Sequence, residues 1–333
     1  MATLKICKLH FTAPLHIGDM KNDDYGISQR TITSDTMYAA MTAVLAKTGV
    51  SLPADGDLGF TISSLFPFYQ ESATSPSVYF FPQPLQALMP HLEDLGERKK
   101  VKKVKWLDTQ YYERVLNGVR LFDNSREDIS SIHGEYLSKS DVPSDFIKSQ
   151  VIQRVTLKSR VGAEDALPYY IDRISFRDYA GLYFIFEGDT ELLEKAMTLL
   201  SLEGIGTDRN VGNGFFDYEM AELNVQLPTN ASHAVSLSLM IPESKEQFEA
   251  LVASDLVAYD IERRGGWITT CPFQTLRKNA IYGFTSGSVF TRKISSVETI
   301  GRIVNLRPDV EFTEEKLHPI WRSGKSILLP IIP

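Results

Sequence analysis

The chain has 333 residues, 43% of them apolar and 23% charged, the composition of a folded chain and not a disordered one. That length suggests two domains of ordinary size, each burying its own core. No apolar run approaches the roughly 20 residues that span a bilayer, and the opening MATLKICKLHF alternates like a strand and lacks a signal-peptide pattern. No membrane is therefore expected, and the cytoplasm is the expected compartment. The two cysteines, Cys7 and Cys271, stand far apart with no CxxC and no Cys/His cluster, so neither a disulfide framework nor a zinc site is indicated. A net charge of −7 speaks only weakly against a polyanionic partner, because phosphate is bound by local surface and not by the sum of charges. One local run is strongly basic: Arg98 to Lys105 carries six cations in eight residues.

In chain order, residues 3–11 alternate as a first strand, and the turn-rich APLHIGDMKNDDYG follows. TSDTMYAAMTAVLAKTG then reads as a helix, with Ser34 as N-cap, Asp35 in the first turn, Met37, Met41, Val44 and Leu45 on one stripe, and Gly49 as the stop. Within a long excursion, residues 151–176 read as two strands joined by a polar tip at Gly162 to Asp165. GLYFIFEG, 181–188, has the unbroken apolar run of a strand buried on both faces. Asp189 caps a second helix whose stripe is Leu192, Leu193, Ala196, Met197 and Leu200. FFDYEMAEL after it alternates as a strand with one wet face. This order predicts an α+β fold of two tandem ferredoxin-like domains, residues 1–225 with a long insertion at about 60–178, and residues 230–333 as a degenerate copy. In the second half, AVSLSLM and LVAYDIE read as strands, SKEQ at 244–247 as a capping box, 280–293 as a hairpin, and KSILLPI as a closing strand.

Between the second helix and its strand lies GIGTDRNVGNG, 204–214. A P-loop needs GxxxxGK[ST] and a Rossmann loop GxGxxG, each opening a helix so that phosphate meets the positive end of the dipole. Here Arg209 replaces the third glycine and the loop follows a helix, which argues against a mononucleotide cofactor. What remains is a loop whose backbone can approach a ligand closely, with Arg209 for a charge-assisted bond. On such a sandwich, the sheet and its edge loops are where RNA-recognition modules hold single strands. A simple helix cap followed by a turn is the competing reading.

The glycine loop, with PLHIG (14–18), SDTMYAAM (34–41), SSLFPF (63–68), FPQP followed by KKVKKVKWL (81–107), QRVTLKSR with PYYIDRISF (153–176), SGSVF (286–290) and HPIWRSGKSILLPI (318–331), resembles the RAMP superfamily of CRISPR proteins. Within it, the chain resembles the family of fourth Csm subunits of type III-A effector complexes, over most of its length. The resemblance implies a non-catalytic subunit, without cofactor or metal, that grips the 5′ handle of CRISPR RNA (crRNA). It also implies docking to the large polymerase-like subunit, a neighbouring backbone RAMP subunit, and a thumb-like hairpin at 151–176 beside target RNA near the handle. The loop departs from the family pattern at Thr207 and Asp208, and Asp208 repels a phosphate if it faces the groove.

Candidate RNA contacts are Gly204, Gly206, Arg209, Asn210, Gly212 and Gly214 in the glycine loop, His16 and Gly18 in the first strand-to-helix loop, and Ser34 and Thr36 at a helix N-terminus. Lys102, Lys103 and Lys105 offer a basic run, Arg154, Lys158, Arg160 and Arg173 a positive side of the hairpin, and Ser286 and Ser288 backbone donors in a turn. Each has a plain alternative: an exposed turn arginine, a structural histidine, a solvated lysine face, an ordinary tight turn. Among six histidines, at 10, 16, 91, 133, 233 and 318, no HExxH or paired metal spacing occurs, and Asp23 with Asp24 is a loop pair. The enzymatic alternative is a metal-independent RAMP endoribonuclease that cuts repeat RNA with His16 as general base.

Overall fold

A computed structural model describes residues 1–18, 25–85, 94–122, 126–156, 167–270, 272–309 and 317–333. The first half runs β1 (Ala2–Phe11), α1 (Ser34–Lys47), β2 (Phe60–Ile62), β3 (Phe66–Tyr69), β4 (Val78–Pro82), α2 (Leu95–Val101), β5 (Trp106–Asp108), α3 (Thr109–Leu116), α4 (Arg126–Ser130), β6 (Ile132–His133) and β7 (Tyr136–Leu137). It continues through β8 (Ile147–Thr156), β9 (Leu167–Phe176), β10 (Gly181–Gly188), α5 (Thr190–Glu203) and β11 (Phe216–Val225). The second half adds β12 (His233–Ser236), α6 (Lys245–Leu251), β13 (Ile261–Arg264), β14 (Ile281–Phe284), β15 (Val289–Thr291), β16 (Glu298–Ile300), β17 (Ile303–Asn305), β18 (Trp321–Ser323) and β19 (Ser326–Ile331).

The molecule is α+β. Its main sheet runs β11-β1-β10-β3-β4-β5-β7-β6, with β2 also paired to β10, and β1 lies antiparallel between β10 and β11. Period-two alternation explains how the central strands bury both faces. Cys7 and Leu9 of β1, with Leu182, Phe184 and Phe186 of β10, pack under Met37, Met41 and Leu45 of α1 and Leu193, Ala196, Met197 and Leu200 of α5. Leu4, Ile6, Tyr183 and Ile185 point the other way and pack with Phe66, Phe68, Phe81 and Leu107 of the insertion. The same cluster takes Val235, Leu237, Ile327 and Leu329 from the second half, so one apolar core is shared by both halves. The aromatics of SSLFPFYQ and VYFFPQPLQ are thus core: Phe66, Phe68, Phe80 and Phe81 are buried.

The second half forms a sheet β15-β12-β19-β16 and two two-stranded ribbons, β13-β14 and β17-β18. Among the described residues it holds the single α-helix α6. Ser244 caps that helix, and Gln247 reaches back to the Glu243 amide at 2.8 Å.

Four local expectations change. The 280–293 stretch is not a hairpin: β14 pairs with β13, and β15 with β12. The cap of α1 is Thr33, extended at φ −72°, ψ 148°, while the Ser34 hydroxyl accepts from the Leu239 amide at 2.9 Å and ties the halves together. The basic run is not a plain loop: Asp94 caps α2, and Val101 and Val104, three apart, are buried in the shared core. LVAYDIE is strand only from Ile261; before it, Ala258 makes an isolated bridge to Val289. No helix among the described residues is long and apolar enough to cross a membrane.

Candidate nucleic-acid interface

The glycine loop is built by close backbone contact. Gly204 ends α5 at φ 78°, donating to the Leu200 carbonyl at 2.8 Å, and Ile205 donates to the Gly214 carbonyl at 3.0 Å. A Cβ on Gly214 would lie 1.8 Å from the Ile205 carbonyl oxygen, and one on Gly206 2.3 Å from that of His16. Both also have positive φ, 74° and 92°, so no side chain fits at either place. Gly212, at φ 92°, faces open space. The exposed crown of the loop is Asn210, Val211 and Gly212. Asp208 sits in the left-handed region at φ 60° and receives the amides of Val211 and Asn213 on its carbonyl, which closes a one-turn 3-10 helix from Arg209.

The Pro14–Gly18 segment lies against this loop. Thr207 donates to the His16 carbonyl at 2.9 Å, and Gly214 to that of Pro14 at 2.8 Å. On its other side the segment holds the β8-β9 hairpin: Leu15 and Ile174 exchange two backbone bonds of 2.8 Å, and Phe11 stacks on Phe176 at 4.8 Å. Asp172 of β9 locks the joint. Its carboxylate takes the Ser28 amide at 3.0 Å and the Ser149 hydroxyl at 2.6 Å, while its carbonyl meets His16 Nδ1 at 2.7 Å. The hairpin pairs Thr156 opposite Leu167; its tip at Gly162 to Asp165, with Lys158 and Arg160, lies outside the described residues, as do Cys271, His91, Asp23 and Asp24.

Hairpin and glycine loop meet through charge. Arg154 Nη1 lies 3.4 Å from Asp208 Oδ2, both half-buried. Burial and the neighbouring Arg154 hold the Arg173 guanidinium below its ordinary range, with Asp208 opposing them. Asp208 therefore faces two arginines, and its charge is answered within the protein. Arg209 is paired as well: its guanidinium bonds Glu203 at the end of α5, which also takes Lys47. Desolvation raises the Glu203 carboxyl, but Lys47 and Arg209 outweigh it and hold the group below the usual range.

Several proposed contacts are corrected. His16 is 1% exposed, stacked beside Tyr25 at 5.9 Å and bonded to Asp172, so its ring meets neither base nor solvent. Ser34 is buried, and Thr36 Oγ1 accepts from Arg264 at 2.7 Å. The α1 N-terminus is filled by the chain itself. Asp35, fully buried, accepts Arg264 Nε at 2.9 Å and Arg322 Nη1 at 3.1 Å, while its Oδ1 and Arg322 Nε have no partner among the described residues. Desolvation pushes the Asp35 carboxyl up, yet Arg322 and Arg264 bring it below its ordinary value. Lys278 beside them is pushed down to about 8 by burial and by Arg322. Ser288 is fully buried, and two of the turn's amides are spent, Gly287 on the Ser236 carbonyl at 2.7 Å and Ser288 on that of Thr285 at 3.3 Å, with Ser286 half-buried.

Gly18 is exposed and bridges Ser28. Lys102, Lys103 and Lys105 are exposed, in the insertion, with Lys105 on Glu135 at 2.8 Å. The residues that come together are thus the glycine loop, Arg209, Arg154 and Arg173, joined through Asp172, Glu203 and the 14–18 segment. Sequence reasoning missed Asp172 and Glu203 because nothing local marks a carboxylate whose partners lie on other elements.

The family description of the CRISPR Csm4 C-terminal domain matches residues 229–331. The chain is 28% identical over 253 residues to the CRISPR system Cms protein Csm4 of Thermococcus onnurineus, covering 70% of this chain and 74% of that one. It is 25% identical over 313 residues to Csm4 of Streptococcus thermophilus, covering 89% and 93%. Residues 229–331 thus match the Csm4 C-terminal domain, and the chain is similar to Csm4 proteins along most of its length. A chain of the Csm3–Csm4 subcomplex of a type III-A interference complex superposes with a TM-score of 0.61 over 99% of this chain and all of that one, at 19% identity, and shares its fold. A chain of a Csm1–Csm4 cassette bound to pppApA superposes at 0.56 with 19% identity, over 100% and 99%.

Proposed function

We propose that this Csm4-like chain is the non-catalytic subunit that holds the 5′ handle of crRNA, with its β8-β9 hairpin beside target RNA near the handle. It docks to the large polymerase-like subunit and to a backbone RAMP subunit. The observation that carries the reading is the junction of the glycine loop with the arginine side of the hairpin. There the exposed residues Asn210–Gly212 stand beside Arg209, Arg154 and Arg173. Fork-shaped guanidiniums grip phosphates without reading sequence. The relatives of like fold, solved in Csm1–Csm4 and Csm3–Csm4 assemblies, support the two protein partners. The chain order and the sheet order β11-β1-β10-β2 support a ferredoxin-like first unit; the reading of the second half as a degenerate copy in tandem rests on the order of its elements alone.

The endoribonuclease reading finds no support in the geometry: a general base must reach the proton it takes, and His16 is buried and bonded to Asp172. The test is purification of the complex through a tag on this chain, with sequencing of the RNA that comes with it. The expected result is crRNA with an intact 5′ handle together with the large subunit; recovery of neither refutes the function.

A further inference from the structure

The hairpin from Tyr259 to Phe284 has two unlike faces. Its inner face is packed: Arg264 binds Asp35, Thr33 and Thr36 at the α1 N-terminus, and Ile268 and Phe273 pack with Leu306, Leu317 and Ile320. Outside, Tyr282 is 62% exposed and sits directly across from the exposed Arg263, with Ile261 47% exposed beside them. Past the Gly265–Gly266 step, Trp267 is 47% exposed, and the Arg277 guanidinium lies 4.5 Å over its ring. Contiguous exposed apolar surface rimmed by polar groups marks an interaction site.

We propose that this outer face is a stacking platform for a single-stranded stretch of RNA, a second contact that rests on the RNA-holding function proposed above. Three features choose the occupant. In a chain of net charge −7, the hairpin carries Arg263, Arg264, Arg277 and Lys278 against only Asp260 and Glu262. Glu262 is paired with the inward Arg264, which also holds Asp35, and Lys278 is half-buried, so the exposed charges of the ribbon are Arg263 and Arg277 against Asp260. Aromatic rings interleaved with arginines are how sequence-tolerant sites stack bases while following the backbone. Finally, Arg264 roots the ribbon at the N-terminus of α1.

The experiment is a fluorescence-anisotropy titration of the full chain with a labelled single-stranded RNA, and with a duplex of the same length as comparison. Tyr282→Ala is expected to weaken single-strand binding by roughly 5- to 100-fold, and Tyr282→Phe, which keeps the ring, by less than about twofold. Arg263→Ala weakens binding and flattens its salt dependence. Both positions are exposed, so circular dichroism and the melting temperature stay unchanged. Native affinity in both Tyr282→Ala and Arg263→Ala overturns the platform. So does unaltered RNA binding combined with lost capture of the large subunit, which would make the ribbon a protein contact. Either result leaves the proposed function standing if the native complex still yields handle-bearing RNA; absence of that RNA strikes the function itself.

Discussion

Replacing Asp35 by Ala removes the one carboxylate that joins the first helix to the second half. Asp35 is fully buried and accepts Arg264 at 2.9 Å and Arg322 at 3.1 Å. Its loss leaves two guanidiniums and the nearby Lys278 in one cluster without their central anion. Breaking a buried pair from one side costs about 3–5 kcal/mol. Arg264 keeps Thr33, Thr36 and Glu262, which sets the expectation at the lower end, about 3 kcal/mol. Urea unfolding at pH 7, followed by tryptophan emission, measures it, and a loss below about 1 kcal/mol refutes the reasoning. Replacing all three charges together, Asp35→Leu with Arg264→Met and Arg322→Met, is expected to recover most of the loss. The pH dependence has a definite sign. Asp35 is held below its ordinary value, so its contribution is present above about pH 4 and is lost as pH falls through the lower folded value. Asp35→Ala therefore flattens the acid limb of the stability curve.

Gly206→Ala and Gly214→Ala drive a Cβ into a carbonyl at a positive φ, so the loop must move, and both are expected to lower RNA retention by the complex at least tenfold. Gly212→Ala meets only the φ penalty and is expected to cost about 1–2 kcal/mol of stability with smaller effect on RNA, read by melting and by extraction of bound RNA. Arg209→Ala weakens handle binding, whereas Glu203→Gln, which frees Arg209 and Lys47 from a shared carboxylate, strengthens it by about two- to fivefold at low salt, an effect that fades as salt rises. Charge reversal at Lys102, Lys103 and Lys105 lowers affinity without regard to sequence if that face meets RNA, and a titration against two unrelated strands shows it.

The elements with periodic burial were legible. The α1 and α5 stripes, the doubly buried β10 and the β8-β9 hairpin all follow from apolar spacing, because packing against a sheet imposes that spacing. The glycine loop was legible too, since Gly206 and Gly214 stand where backbone touches backbone. The partners of charges were not. Asp35 meets Arg264 across 229 positions and Arg322 across 287, distances over which no local pattern carries information. That is why the sequence could not decide between a phosphate site and a filled helix end at Ser34 and Thr36, or between an RNA contact and a structural histidine at His16. In the basic run, Val101 and Val104 at helical spacing were the signal of a short buried face, masked by the lysines around them.

The central claim is that the glycine loop and the arginine side of the hairpin together grip the crRNA handle. Ultraviolet cross-linking of the purified native complex, with mass spectrometry of the peptide–RNA adducts, tests it directly. The account predicts adducts on residues 204–218 and on 147–176 that carry handle nucleotides. Handle RNA present in the complex but cross-linked to neither segment would contradict it.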